Sequence, residues 1–229
     1  MPTESAPEQT SGSIVTTPPA SPDVMVLSES FADDDGDAWS DDVWDVDVPG
    51  EASAVGVDGV GVMEIDPRGT YEWVRAVASD SVHGDVKIRA RLTAQGSSQG
   101  TVFIGVHGDA EWRDRTPYLP QTGVALEYGY ADISLGEMVL IVFEGADERR
   151  IGPVIGPVLA RGESAEVALE AKGGRVRAKI WRVGDDEPGD WQIETDTSTD
   201  SGVVQLSYRD APGQSVAWDA VTIELAPTG

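Results

Sequence analysis

Residues 173–194, GGRVRAKIWRVGDDEPGDWQIE, decide how the rest of the chain is read. Val176, Ala178 and Ile180 alternate with Arg175, Arg177 and Lys179, the period of a strand with one dry face and one wet one. Trp181 closes that strand. Gly184-Asp185-Asp186-Glu187-Pro188-Gly189 then supplies turn chemistry, and Trp191-Gln192-Ile193-Glu194 is predicted to open the return strand.

Working outward, the same alternation recurs. Over 85–93, Val86, Ile88, Ala90 and Leu92 alternate with Lys87, Arg89 and Arg91, and 164–170 alternates again. Residues 101–107 are almost wholly apolar, which predicts a central strand covered on both faces. Strands are also predicted over 24–27, 71–78, 124–130, 138–144, 202–208 and 216–225. Pro153 and Pro157 lack the amide hydrogen a ladder needs, so 149–161 is expected at an edge or as an extended crossing. Residues 108–122 form the longest polar connection. No stretch sustains a 3.6-residue period with caps, so very little helix is expected.

Composition narrows the function classes. The formal net charge is −25, and residues 1–67 contain sixteen acids and no Lys or Arg. Such a surface repels nucleic acid and anionic membranes, so neither is expected as a partner, and no run is long enough to insert as a membrane helix. The charge suits divalent cations, basic protein surfaces or simple solubility. There is no Cys, hence no disulfide framework. The first basic residue is Arg68 and residues 1–17 have no apolar core, so no export leader is expected. Residues 1–23 are rich in Pro, Ser, Thr and Glu and read as an extended or disordered arm, with one sandwich domain over 24–226.

The hairpin also resembles a known family. Lys179, Trp181, Gly184, Glu187, Pro188 and Trp191 stand in the arrangement of the penultimate hairpin of laminin-G-like or concanavalin A-like jelly rolls, found in actinobacterial surface proteins and phage minor tail proteins. The resemblance implies an all-β, antiparallel β-sandwich with neighbouring first and last strands. It also matches the start of the chain, with Phe31, Trp39 and Trp44 as buried anchors. Trp181, Trp191 and Trp218 are expected to pack. For function it implies a non-enzymatic virion protein of a phage tail or particle surface. Such a protein would dock on other virion proteins through its N-terminal arm, contact a host cell-envelope glycan and assemble as a homo-oligomer, with a trimer expected. The alternatives are an extracellular carbohydrate-binding module or lectin and, third, a divergent glycan hydrolase.

Three constellations bear on chemistry. Flat rings stack on the C–H faces of sugars while polar neighbours hold hydroxyls, which nominates Trp112, Arg113 and Tyr118 in the long connection and Tyr128 and Tyr130 on one strand face. Glu64 and Asp66 begin like a hydrolase carboxylate strand, but Pro67 interrupts it and position 69 is Gly, so no catalytic set is assigned. Asp33, Asp35 and Asp37 alternate like the opening of a calcium loop, although Ala38 and Trp44 stand where the turn glycine and bidentate acid belong. In the resembled sandwiches calcium can join an acid near the first strand to one in the last, which here implies Asp34 and Asp219. A solvated acidic loop is the other reading, and both stay open. His83 and His107 lie far apart without Cys and make no zinc set by themselves.

Overall fold

The alternating segments of the sequence pair into two antiparallel sheets, and their dry faces meet. The structure is a computed structural model that describes residues 25–29, 31, 36, 38–39, 43–48, 52–65, 67–68, 72–95, 100–109, 111–113, 116–130 and 135–226. The expected arm over 1–23 lies outside the described residues. The first sheet runs in the order β16 (Ile193–Asp196), β15 (Arg175–Arg182), β14 (Ser164–Lys172), β7 (Val86–Ala94), β18 (Ser215–Leu225), β4 (Val60–Glu64), β3 (Ser53–Val57). β1 (Met25–Glu29) pairs with the second half of β18, so the first and last strands are neighbours. The second sheet runs β13 (Asp147–Ile155), β12 (Glu137–Glu144), β11 (Thr122–Gly129), β8 (Thr101–Gly108), β17 (Ser201–Asp210), β5 (Glu72–Ala78), β2 (Trp44–Asp47). β6 (Val82–His83) pairs with the start of β17. Every pairing is antiparallel and no helix occurs among the described residues.

Sequence period dictates which side chains meet. Val86, Ile88, Ala90 and Leu92 of β7 and Val176, Ala178 and Ile180 of β15 are all at most 2% exposed. They face Val102, Ile104 and Val106 of β8 and Val124 and Leu126 of β11 in one continuous apolar layer. Three tryptophans, Trp39, Trp44 and Trp218, are buried in that layer. Trp39 packs 4.7 Å from Phe31 and edge-on 5.9 Å from Trp44. Gly61 makes room for them, since a Cβ there would lie 2.7 Å from both the Phe31 and Trp39 rings. β8 is buried at all eight positions, as expected of a central strand with both faces covered.

Two expectations change. The return strand β16 begins at Ile193, not Trp191, because the Trp191 ring turns back over the Arg177 guanidinium (4.6 Å) and the Lys179 ammonium (5.0 Å). Trp181 and Trp191 are therefore half-buried on the outer face of the first sheet, and Trp218 alone of the three packs in the core. The hairpin motif is a clamp. Glu187 takes Lys179 Nζ at 2.7 Å and Arg89 Nη2 at 2.9 Å, and Lys179 also donates to Pro188 O at 2.7 Å. Gly184 sits at φ 98, where any side chain would be strained. The polar connection 108–122 holds its own two-stranded sheet, β9 (Trp112–Arg113) and β10 (Thr116–Pro120). The fold is an antiparallel β-sandwich of the concanavalin A-like jelly-roll kind.

Candidate functional site

The outer face of the second sheet carries a cluster of aromatic and polar groups. Register lines up Asp47, Arg75, Ser207, Phe103, Glu127 and Val139 in one row across β2, β5, β17, β8, β11 and β12. Trp73 and Arg209 stand in an adjacent row, Gln205 and Gly105 in the next. On this floor Phe103, Ala125, Val139, Ile141 and Phe143 form a second apolar cluster. The β9–β10 hairpin covers it because Tyr118 and Leu119, in an otherwise polar stretch, drop onto those residues. The Tyr118 ring lies 5.2 Å from Phe103 and 6.4 Å from Trp73.

Polar side chains of the sheet then tie the hairpin down. Gln205 Nε2 and the Ser207 hydroxyl both donate to Tyr118 O, at 3.0 and 3.1 Å, and Arg209 Nη1 donates to the Tyr118 hydroxyl at 2.7 Å. Asp109 closes the hairpin's base, accepting from Gln121 N at 3.0 Å and the Thr122 hydroxyl at 2.8 Å. The sheet pinches beneath that base. A Cβ on Gly202, at φ 141, would lie 2.3 Å from Gly108 O, and only glycine fits.

Arg75 is the hub. Its guanidinium is buried, donates to Pro117 O and meets Asp47 Oδ2 at 2.5 Å. The Trp112 ring stacks on it, with Cζ 3.6 Å from the ring centroid, and Trp73 flanks it at 5.3 Å. Burial pushes the Arg75 pKa below its ordinary value, opposed by Asp47 and Asp45. Arg75 Nε, Arg113 Nη1 and Gln205 Oε1 are buried polar atoms without a hydrogen-bond partner among the described residues. The result is a half-buried indole braced by a cation, a second half-buried indole, and the exposed carboxylates of Asp45 and Asp47 beside them.

The nominated residues separate into two groups. Trp112, Arg113 and Tyr118 come together here, with Tyr118 buried beneath the hairpin and Arg113 half-buried, donating to Ala146 O at 2.9 Å over the Phe143 ring. Tyr128 and Tyr130 do not join them. They are 0% and 1% exposed in the layer between the sheets, so neither ring offers a face to a sugar, which corrects their nomination. Tyr128 donates to Pro157 O and Tyr130 lies 3.4 Å from the Tyr208 hydroxyl; burial raises the pKa of both phenols. Arg75, Trp73, Asp47 and Arg209 went unnominated. The Trp73-x-Arg75 spacing places both on one strand face, but nothing in the sequence brings Asp47 or Trp112 to them.

The metal nominations fit poorly. Asp219 turns its carboxylate to Arg91, with Oδ2 3.5 Å from Nη1, and Asp34 lies outside the described residues. No group of three or more His, Cys, Asp or Glu that could hold a metal ion occurs among the described residues. Glu64 is exposed at the end of β4, and Asp66 lies outside the described residues. His107 is buried at the other end of the sandwich, Nε2 3.0 Å from Gly84 O and Nδ1 3.2 Å from Thr199 O.

No protein-family model and no curated protein matches the chain. Solved structures do share its fold. The VIP36 exoplasmic/lumenal domain in its Ca2+/Man2-bound form superposes with a TM-score of 0.63 at 8% identity, covering 89% of this chain and 88% of that one. The Emp46p carbohydrate recognition domain in its metal-free form gives 0.59 at 10% identity, covering 79% and 87%. The carbohydrate-binding module CBM66 from Bacillus subtilis gives 0.53 at 15% identity, covering 77% and 91%. At these identities the likeness establishes the architecture alone, an antiparallel jelly-roll sandwich.

Proposed function

We propose that this chain is a non-catalytic carbohydrate-binding sandwich whose glycan contact lies on the outer face of the second sheet, at Trp112. The observation that carries the reading is the Trp112–Arg75 stack. The Arg75 guanidinium, itself held by Pro117 O and Asp47, lies 3.6 Å from the indole centroid and steadies the ring, so it loses little side-chain freedom when a sugar stacks on it. The exposed carboxylates of Asp45 and Asp47 supply acceptors and Arg113 a donor for hydroxyls around it. Neighbours of the same fold include a VIP36 domain in its Ca2+/Man2-bound form, the Emp46p carbohydrate recognition domain and the carbohydrate-binding module CBM66, which supports the ligand class. Non-catalytic action fits the carboxylates: Glu64 lies at a strand end, and Asp210 is buried with Tyr208. The test is an array of envelope and plant polysaccharides, followed by titration of the positive ligand into the chain and its Trp112→Ala variant. Binding that survives Trp112→Ala unchanged refutes the placement.

We also propose where the domain works: on a phage virion surface, docked through the acidic N-terminal segment and oligomeric, with an exported lectin as the alternative. This rests on the hairpin motif and on the sixteen acids of residues 1–67. Co-purification of the chain with particles supports the virion placement; recovery solely as a free protein in culture fluid supports the alternative. Calcium enters no step here, since the implied Asp219 faces a guanidinium.

A further inference from the structure

The outer face of the first sheet carries a hollow of about 320 Å³, lined by Arg89, Ala90, Arg91, Glu166, Asp219, Ala220 and Thr222. Its origin is local. β18 bulges between Trp218 and Ala220, so Asp219 is an extra residue thrown out of the alternation beside Arg91. Ala220 faces Arg91, and Thr222 faces Arg89, so short side chains stand among long ones and leave a void. Arg91 bridges the hollow, 2.7 Å from Glu166 and 3.5 Å from Asp219. The second contact is longer than a saturated charge-assisted hydrogen bond of about 2.7–2.9 Å, so Asp219 keeps acceptor capacity. Arg89 is held from outside the hollow by Glu187, whose two oxygens lie 2.9 and 3.1 Å from Arg89 Nη2. The half-buried Trp181 ring lies 5.9 Å from the same guanidinium.

The chemistry of this lining selects a ligand. The guanidiniums of Arg89 and Arg91 balance the carboxylates of Glu166 and Asp219, and Glu187 beyond them is shared between Arg89 and Lys179, so the lining carries no net charge to draw an ion. A neutral polyol fits, because each hydroxyl can accept from a guanidinium and donate to the adjacent carboxylate at once. The volume lies at the small end of ligand sites, about 300–1,000 Å³, as a single pyranose ring requires. We propose that this hollow is a second saccharide-binding site, on the face of the sandwich opposite Trp112, that holds vicinal hydroxyls of a neutral sugar between Arg91, Arg89, Asp219 and Glu166. It shares a ligand class with the Trp112 reading and nothing else, and together the two sites make the domain bivalent.

The test is a chemical-shift titration of the full chain with methyl α-mannoside, methyl β-glucoside and methyl β-galactoside in turn. The expected result is saturable shifts at Arg89, Arg91, Thr222 and the Trp181 indole for at least one sugar, retained in Trp112→Ala. The double variant Glu166→Gln, Asp219→Asn is expected to weaken those shifts about tenfold or more, the cost of about 1.4 kcal/mol. Its melting temperature should hold, since exposed ion pairs contribute little to stability. Shifts confined to the surroundings of Trp112, no shifts with any sugar, or a double variant that titrates like the parent overturn the second site. A positive polysaccharide array with a silent first sheet overturns this site alone, and first-sheet shifts with a negative array overturn the Trp112 reading alone.

Discussion

Replacing Arg75 by Met separates the hairpin's tether from its apolar contacts. Met keeps much of the aliphatic stem but removes the guanidinium that joins Pro117 O, Asp47 and the Trp112 ring. A hydrogen bond from a charged donor contributes about 1.5–3 kcal/mol and a desolvated cation–π stack about 1–2 kcal/mol. Relief of the buried cation offsets part of this, and Asp47, at 53% exposure, returns to water at little cost. The net loss is about 2 kcal/mol, which for a chain of this length lowers Tm by about 4–8 °C. Urea denaturation and hydrogen exchange measure the two halves of the claim. Exchange should accelerate over 111–121 far more than in β7 or β14. An Arg75→Lys variant should recover the charge but not the guanidinium's contact with the Trp112 ring, and lie between. Unchanged stability with full protection over 111–121 would refute the assignment of Arg75 as the hub.

Three further outcomes follow from the same geometry. Tyr208→Phe removes the 2.7 Å donor to Asp210, a carboxylate with 0% exposure, and should cost about 2 kcal/mol at pH 7 in denaturant titration. Burial raises the Asp210 pKa, so the protonated form is favoured in the fold. That contribution is present below the ordinary carboxylate value and lost as pH rises through the raised one, so the Tyr208→Phe penalty should shrink in acid. Burial lowers the His107 pKa, against the pull of the Gly84 and Thr199 carbonyls and of Asp200 and Asp85. Its neutral form therefore stabilises the fold above the ordinary histidine value, and stability falls with pH through the lowered one; His107→Gln should flatten that limb of a stability–pH profile. Glu187, its pKa held at about 2 by Arg89 and Lys179, clamps the motif hairpin; Glu187→Gln should speed exchange over 184–191 while costing about 1 kcal/mol, because the carboxylate and Arg89 are exposed and the buried Lys179 keeps its bond to Pro188 O.

The architecture was legible wherever one face is dry. Lys87, Arg89 and Arg91 against Val86, Ile88, Ala90 and Leu92 give both the strand and its orientation, because the sheet's outer face meets water. β8 was legible as a doubly covered strand, but not what covers it. Tyr118 and Leu119 sit among Arg, Asp, Pro and Thr, and their landing on Phe103 depends on contacts across the sheet. Tyr128 and Tyr130 show the opposite fault. Period two says they share a face, and their parity with Val124 and Leu126 was the available signal that this face is the core. The Trp112–Arg75–Asp47 cluster joins three segments far apart in sequence, and no local pattern encodes that. The motif hairpin was visible as a set of residue types, while its clamp depends on Glu187 reaching Arg89 on β7, two strands away.

The most direct test of the central claim is calorimetric titration of the full chain with the strongest polysaccharide from the array, run beside Trp112→Ala. The account predicts saturable binding with no release of reducing ends, reduced at least about tenfold in the variant, the loss of one aromatic contact of about 1.4 kcal/mol. Equal affinity in both proteins, or reducing sugar accumulating during the titration, would contradict it.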